Sequence, residues 1–338
     1  MKNILVTGGA GFIGSHTVVE LVAAGYRPVI VDNYSNSNAS VIGRLEQITD
    51  THITIYEQDY RDIVRLKQII IDENISGIIH FAASKAVGES LEIPLHYYDN
   101  NVAGFIALLQ LCESKDTPVA HVVFSSSCTV YGNPDSLPVT ESSPIKSATS
   151  PYGYSKQIDE TILHDTIRVS QKLNAIALRY FNPVGAHPSA LIGELPIGTP
   201  ANLIPFLTQT AAGMRSELTV YGNDYDTPDG SCIRDYVHVV DLANAHVAAL
   251  AWLEQHALGA YETCNIGSGI GSSVLEAIET FERVTGEKVP YRIGDRRDGD
   301  VVATYADVTK ANSLLRWSTK KTLADALADA WRWQQTLR

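Results

Sequence analysis

A doubly wound α/β fold with a parallel sheet is predicted by three features of the first 180 residues. Short apolar runs alternate with longer helical patterns, which is how strands joined by crossover helices read. The first run opens directly into a glycine-rich turn, and an aspartate closes the second. The candidate strands are 4–7, 28–32, 53–57, 77–82, 121–125 and 175–180. Most are β-branched or aromatic and apolar on both faces, as in a sheet covered by helices on both sides. The helical stretches between them are 12–24, 63–73, 95–113 and 151–171. Six strands with crossover helices fit a Rossmann-type domain.

After Tyr180 the pattern changes. Residues 183–201 are rich in Gly and Pro, 222–231 form an acidic Gly/Pro/Asp stretch, and 291–300 are rich in Arg, Asp and Gly. These loops are too long and polar for simple turns, so they are candidate binding segments. Residues 240–255 read as a helix, and 261–266 as a strand returning to the first sheet. The expected division is therefore discontinuous. Residues 1–181 plus about 237–266 form the dinucleotide unit, and about 182–236 plus 267–338 form a smaller mixed α/β substrate domain. In the run 322–335, Leu323, Leu327 and Trp331 recur every four residues, which marks an amphipathic helix packed on a core.

Composition narrows the function. The 338 residues allow one large domain with a smaller one, and 45% hydrophobic residues supply a sizeable core. A net charge of −12 with no dense basic run argues against nucleic-acid or membrane-surface partners. A phosphate-bearing small ligand is compatible, because one or two arginines and a helix N-terminus hold it locally. The chain enters a strand at Asn3 without the long apolar stretch of a secretory signal, and nothing reaches the roughly 18 apolar residues of a membrane span. Cys112, Cys128, Cys232 and Cys264 are scattered with no Cys-x-x-Cys pair, so neither a disulfide framework nor a metal site is expected. Reduced thiols in a cytoplasmic protein are the expectation.

Residues 7–14 join the first strand to the first helix and parse as G-x-x-G-x-x-G on Gly8, Gly11 and Gly14, or as G-x-G-x-x-G from Gly9. Glycines suit this position because the turn is tight and its backbone must approach a pyrophosphate at the helix N-terminus. Asp32 lies 18 residues past Gly14, close to the roughly 20 expected for a carboxylate on the adenosine ribose. That carboxylate would repel a 2′-phosphate, so the cofactor is expected to be NAD, not NADP.

The fifth strand ends in Ser125-Ser126-Ser127, and Tyr152 and Lys156 follow at helical i, i+4 spacing. A free phenol titrates near ~10, too high for a base at neutral pH. An adjacent ammonium and a cationic nicotinamide both favour the phenolate and bring it toward the working range. Ser127 is placed to share a proton between a substrate hydroxyl and Tyr152.

With these residues the chain resembles the extended short-chain dehydrogenase/reductases. The segments 80–90, 97–101, 179–188 (with Arg179-Tyr180-Phe181-Asn182-Pro183), 221–230 and 234–236 narrow the likeness. Together they resemble the UDP-glucose 4-epimerase family from end to end. The resemblance implies catalysis by Ser127, Tyr152 and Lys156. It implies an NAD site lined by Gly8, Gly11, Phe12, Ile13, Gly14, Asp32, Asn33, Asn36, Ser37, Asp59, Tyr60, Phe81, Ala82, Ala83, Lys85, Asn100, Ser125, Tyr152, Lys156, Tyr180 and Phe181. UDP-sugar contacts are implied for Ser127, Tyr152, Asn182, Asn202, Leu203, Val220, Tyr221, Gly222, Arg234, the stretch from Arg297 to Asp300, and Thr304. The implied reaction is redox-neutral: Tyr152 takes the 4-hydroxyl proton as C4 is oxidised, and the 4-keto sugar turns and is reduced on its other face. A homodimer through the helices at 95–113 and 151–171 is implied as well, although those faces would serve equally as core.

Three rivals were weighed. A 4,6-dehydratase normally carries an Asp-Glu pair just after the serine-strand threonine, whereas this chain has Cys128-Thr129 with no carboxylate there. A UDP-glucuronate epimerase fits segments 182–188 and 223–230 less well. A nucleotide-sensing protein without chemistry would usually lack the Tyr or the Lys. The chain departs from commoner family choices at Ser84, Tyr154 and 193–196. At the position of Thr304 the family has either a bulky Tyr or a small residue, and a small one implies room for 2-acetamido sugars. Tyr305 or a neighbouring loop is the alternative occupant of that space.

Overall fold

In the computed structural model, which describes residues 1–297 and 300–337, all six runs are strands. They are β1 (Asn3–Thr7), β2 (Arg27–Asp32), β3 (Thr54–Glu57), β4 (Ile75–His80), β5 (His121–Ser127) and β6 (Asn174–Tyr180). The helices among them are α1 (Phe12–Ala23), α2 (Ser40–Thr49), α3 (Ile63–Asp72), α4 (Val87–Glu92), α5 (Pro94–Tyr97), α6 (Gly104–Glu113) and α7 (Pro151–Val169). Three features differ from the sequence reading. Helices α2 and α4 were not expected, although α2 carries Val41, Ile42, Leu45 and Ile48 at helical spacing against the core. The stretch 95–113 is not one regular helix: a π-helical turn, Tyr98–Ala103, separates α5 from α6. Such turns often sit at functional sites.

The second half contains β7 (Asn182–Val184), α8 (Leu203–Ala211), β8 (Leu218–Tyr221), β9 (Ile233–His238) and α9 (Val239–Gln255). There follow β10 (Tyr261–Ile266), β11 (Gly271–Ser273), α10 (Val274–Thr285), β12 (Tyr291–Gly294), β13 (Ala303–Thr304), α11 (Thr309–Leu315) and α12 (Leu323–Thr336). Strand β10 does return to the first sheet, pairing in parallel with β6 from Tyr261 to Ile266. Among the described residues no helix is long and apolar enough to cross a membrane.

The main sheet has the order β10-β6-β5-β4-β1-β2-β3, with every pairing parallel. Successive side chains enter opposite core layers, as strand geometry demands. Ile4 and Val6 pack with Val18, Leu21 and Leu242 of α1 and α9. Leu5 packs on the other face with Leu66, Leu108 and Leu163 of α3, α6 and α7. Crossovers run outward in both directions from β1 and β4, which leaves a crevice at the strand C-termini between them, where ligands bind in such sheets. A smaller sheet, β11-β9-β13 with β7 also on β9, lies at the other side of that crevice. Its core joins Tyr236, Ile204 and Val220 to Phe281 and Trp331 of α10 and α12.

Helix α7 starts cleanly because Ser150 accepts from the Gly153 N–H (3.1 Å) and Pro151 occupies the first turn. One buried ion pair then sets its depth against the sheet. Glu160 accepts from Arg179 Nε of β6 at 2.9 Å and from Ser126 of β5, and both charged side chains are 6% exposed. The arginine continues to the Tyr131 hydroxyl (3.0 Å), which donates to Asn265 of β10 (2.6 Å). Removing one partner strands the other charge in the interior. Glu160→Gln is therefore expected to cost about 3–5 kcal/mol in urea denaturation. A loss below about 1 kcal/mol would mean the pair is not what holds α7 to the sheet.

Candidate active site

The β1–α1 turn leaves no room for side chains at two points. Gly8 has φ +71°, and a Cβ there would lie 2.9 Å from the Ala82 nitrogen. A Cβ on Gly14 would come within 2.3 Å of the Gly8 carbonyl. Gly11 caps α1 without a side-chain acceptor, so the first-turn N–H groups, those of Phe12, Ile13 and Gly14, face the crevice mouth uncapped. The donors and the space fit a pyrophosphate, and so a dinucleotide. Asp32 ends β2 with its carboxylate accepting from the Ala10 N–H (2.9 Å), the Tyr34 N–H (2.9 Å) and the Ser37 hydroxyl (2.8 Å). It ties the glycine turn to the 33–37 loop.

Asn33 donates to Asp59 (3.3 Å), whose carboxyl Arg61 holds below the ordinary range. Asn36 is exposed. Tyr60 differs from its neighbours: its ring is buried edge-on against His80, and its hydroxyl donates to the Asn100 carbonyl. At the end of β4, Phe81 packs on His246 and Ala82 covers Gly8, with Ala83 beside it. This loop is held by a residue that motif reading did not single out. Asn101 accepts from Ser84 N (2.9 Å) and from Asn100 (3.0 Å), and it donates to Ser84 O (3.0 Å) and Ser155 Oγ (3.2 Å). The π-helical turn presents both asparagines. Lys85 is exposed and lies 3.7 Å from Glu194, which also accepts from Asn202 (2.7 Å). Glu194 thus joins Lys85, expected at the cofactor, to Asn202, expected at the substrate. Its only sequence signal was its place in the divergent 193–196 stretch.

The serine strand end lies at the middle of the crevice. The Ser125 hydroxyl bonds to that of Tyr180, and Ser127 accepts from Thr129 N (3.2 Å). Tyr152, in the first turn of α7, lies near Ser127, whose hydroxyl favours the phenolate. Lys156 is one turn further on, 2% exposed, with Nζ 4.7 Å from the Phe124 ring centre. Burial pushes the Tyr152 phenol up to about 12; Ser127 opposes this in part, and Cys128 and Asp159 add to it. Lys156 is itself lowered by burial, with Asp159 and Glu160 opposing.

Across the crevice the basic residues converge on one carboxylate. Asp300 accepts from Arg297 (2.8 Å) and from Arg234 (3.4 Å), and Arg297 lies 5.5 Å from the Tyr221 ring centre. Arg234 also donates to the Val301 carbonyl (2.7 Å). Asp298 and Gly299, within the stretch expected to hold substrate, lie outside the described residues. Gly222 turns the chain after Tyr221 at φ +79°. Val220 points into the core instead, as Leu203 does in part. Asn182 is half-buried at the start of β7, and Phe181 packs with Tyr131, Val139 and Ala306. Thr304 is in register with Arg234, whereas Tyr305 places its ring about where a Cβ on Gly271 would sit, 2.9 Å away. Behind Arg234, the buried Asp235 fixes β9 by accepting from Ser268, Gly269 and Ala306 backbone N–H groups.

Residues 5–330 match the family model described as GDP-mannose 4,6 dehydratase. A UDP-glucose 4-epimerase of Dictyostelium discoideum is 50% identical over 331 residues, 98% of this chain and 95% of its own. Among solved structures, a UDP-glucose-4-epimerase from Stenotrophomonas maltophila with bound NAD and formylated UDP-arabinopyranose matches with TM-score 0.96 and 48% identity, over 100% of this chain and 99% of that one. The UDP-glucose 4-epimerase from Bifidobacterium longum in complex with NAD+ and UDP gives 0.94 and 45%, over 99% and 98%.

Asp32→Ala releases the Ala10 and Tyr34 amides and removes the carboxylate at the end of β2. It is expected to weaken NAD binding by at least about tenfold in titration calorimetry and to narrow the preference over NADP. Equal binding of both dinucleotides by the unmodified chain would overturn that role.

Proposed function

We infer the reaction from kinship and site together: the chain belongs to the UDP-glucose 4-epimerase family, among the extended short-chain dehydrogenase/reductases, and is an NAD-dependent isomerase that interconverts UDP-glucose and UDP-galactose at C4. The observation that carries this reading is Tyr152 near Ser127 with the buried Lys156 one helical turn on, in a chain alike to such epimerases over nearly its full length.

Bound NAD supplies the acceptor, and then the donor, for the hydrogen at C4. We assign its pyrophosphate to the open N–H groups of the glycine turn and its adenosine ribose to Asp32. Tyr152 takes the proton of the 4-hydroxyl through or beside Ser127 and returns it after the 4-keto ring has turned. Lys156 donates from beneath. Arg234 and Arg297 face the diphosphate, a task for planar, permanently charged donors in an acidic chain. Strong hold on UDP with a loosely held sugar lets the ring rotate without dissociating.

The matched model's dehydratase description does not change this assignment. The residues after Ser127 are Cys128 and Thr129, and burial pushes the Cys128 thiol up to about 12, so no acid or base for water elimination stands there. We propose the division into 1–181 plus about 237–266 and about 182–236 plus 267–338, with the crevice between the two. The family likeness supports a homodimer through α6 and α7, and the acidic charge supports a cytoplasmic enzyme without nucleic-acid or membrane partners.

The substrate range extends to UDP-N-acetylhexosamines. This reading is supported by Thr304 lying in register with Arg234 while the Tyr305 ring packs over Gly271, on the opposite side of the strand. Neither fills the wall as a Tyr at 304 would.

Tyr152→Phe is expected to fold and retain NAD while kcat on UDP-galactose falls by about 10²–10⁴ in a coupled assay. Near-normal turnover would sink the assignment. Thr304→Tyr is expected to abolish epimerisation of UDP-N-acetylglucosamine and spare UDP-glucose. Robust UDP-galactose turnover with no N-acetyl activity in the unmodified enzyme would refute the open wall.

A further inference from the structure

We propose that Asp159 is a positioning residue for Lys156, its carboxylate serving as the counter-ion that keeps the buried ammonium charged at the pH of turnover. The proposal rests on the epimerase reading above. Lys156 and Asp159 stand at i, i+3 on the inner face of α7 and are 2% and 1% exposed. An ammonium so far from water needs a compensating charge or it gives up its proton.

Glu160, at i+4, does not meet that need. Its oxygens are already occupied by Arg179 and Ser126, so its charge is spent on β5 and β6. Asp159 is in the opposite condition. Its Oδ1 is buried without a hydrogen-bond partner among the described residues. A solitary carboxylate oxygen there is costly unless a nearby cation offsets it.

Among the described residues the surroundings leave no other candidate. From β4, His80 faces Lys156, but burial and the ammonium push it down to about 3, so it is neutral. The Phe124 ring of β5 offers only its face. Tyr60, after β3, and Tyr152 both feel Asp159, and burial raises both phenols, which keeps them uncharged in the chain itself. From α5, Tyr97 faces Tyr152 and is engaged by Glu89; from β10, Tyr261 faces Glu160 and Arg179. The unspent negative charge belongs to Asp159.

The sign of the effect follows. Burial raises the Asp159 carboxyl and Lys156 opposes that rise; burial lowers Lys156 and Asp159 is the first group to oppose it. Taking away the carboxylate charge lets Lys156 lose its proton at lower pH. The basic limb of the kcat profile must then move down.

The experiment measures kcat and KM for UDP-galactose from pH 6 to 10.5, with NAD retention, for the unmodified enzyme, Asp159→Asn and Asp159→Glu. Asp159→Asn is expected to move the basic limb down by about one pH unit or more, with KM within about twofold and NAD lost at correspondingly lower pH. Asp159→Glu, which keeps the charge, is expected to restore the limb. A basic limb and NAD-retention profile unchanged in Asp159→Asn would overturn the proposal. A thermal-denaturation cycle at pH 8 with Lys156→Met, Asp159→Asn and the double variant tests the pair without turnover. The double variant is expected to lose less than the sum of the singles, and additive losses would overturn the pairing. Absence of any epimerisation by the unmodified enzyme would refute the epimerase reading alone, and the cycle would still decide the pair.

Discussion

The ion pair between Glu160 and Arg179 fixes where helix α7 lies, and the chemistry depends on that placement. Tyr152 and Lys156 project from the same inner face as Glu160, so the depth at which Glu160 meets β5 and β6 sets the height of the phenol beside Ser127. A surface salt bridge would be too weak and too mobile for this, whereas a buried one with every oxygen engaged allows one geometry. Ser126 bonds to the clamp and Ser127 lies near the phenol, so adjacent residues of one strand hold the helix and face Tyr152.

Two kinds of electrostatics meet at the crevice. Around the glycine turn stand uncharged N–H donors at an open helix N-terminus and the Asp32 carboxylate, groups that suit a pyrophosphate and a ribose. On the far side stand Arg234 and Arg297, both paired with Asp300. Between them burial pushes the Tyr152 phenol up to about 12, and Ser127 opposes this only in part. A positive charge brought by the cofactor would lower it further. Coupling of base strength to cofactor occupancy follows from burial, because a low dielectric magnifies whichever charge is brought in.

Much of this was legible in the sequence wherever the signal is local. The glycine turn, Asp32, the serine strand end and Tyr152 with Lys156 each rest on spacing that strand or helix geometry dictates, and each lies at a strand C-terminus of the parallel sheet. The returning strand β10 was legible from its apolar run. What escaped depends on burial that only the folded chain creates. Asn101 looks like any polar residue until the π-helical turn buries it against Ser84 and Ser155. Glu194 gains meaning only because Lys85 and Asn202, distant in sequence, meet at its carboxylate. Spacing shows that an ammonium is near Tyr152, but not how dry the surroundings of the phenol are.

The central claim is that Tyr152 is the proton carrier and becomes a base only when the cofactor's positive charge is present. Ultraviolet difference titration of tyrosinate, comparing the enzyme with Tyr152→Phe in the absence and presence of NAD+, tests it directly. The account expects the Tyr152 signal to titrate near 12 without NAD+, and to move down by several pH units, toward neutrality, when NAD+ is bound. A Tyr152 titration that is the same with and without NAD+ would contradict it.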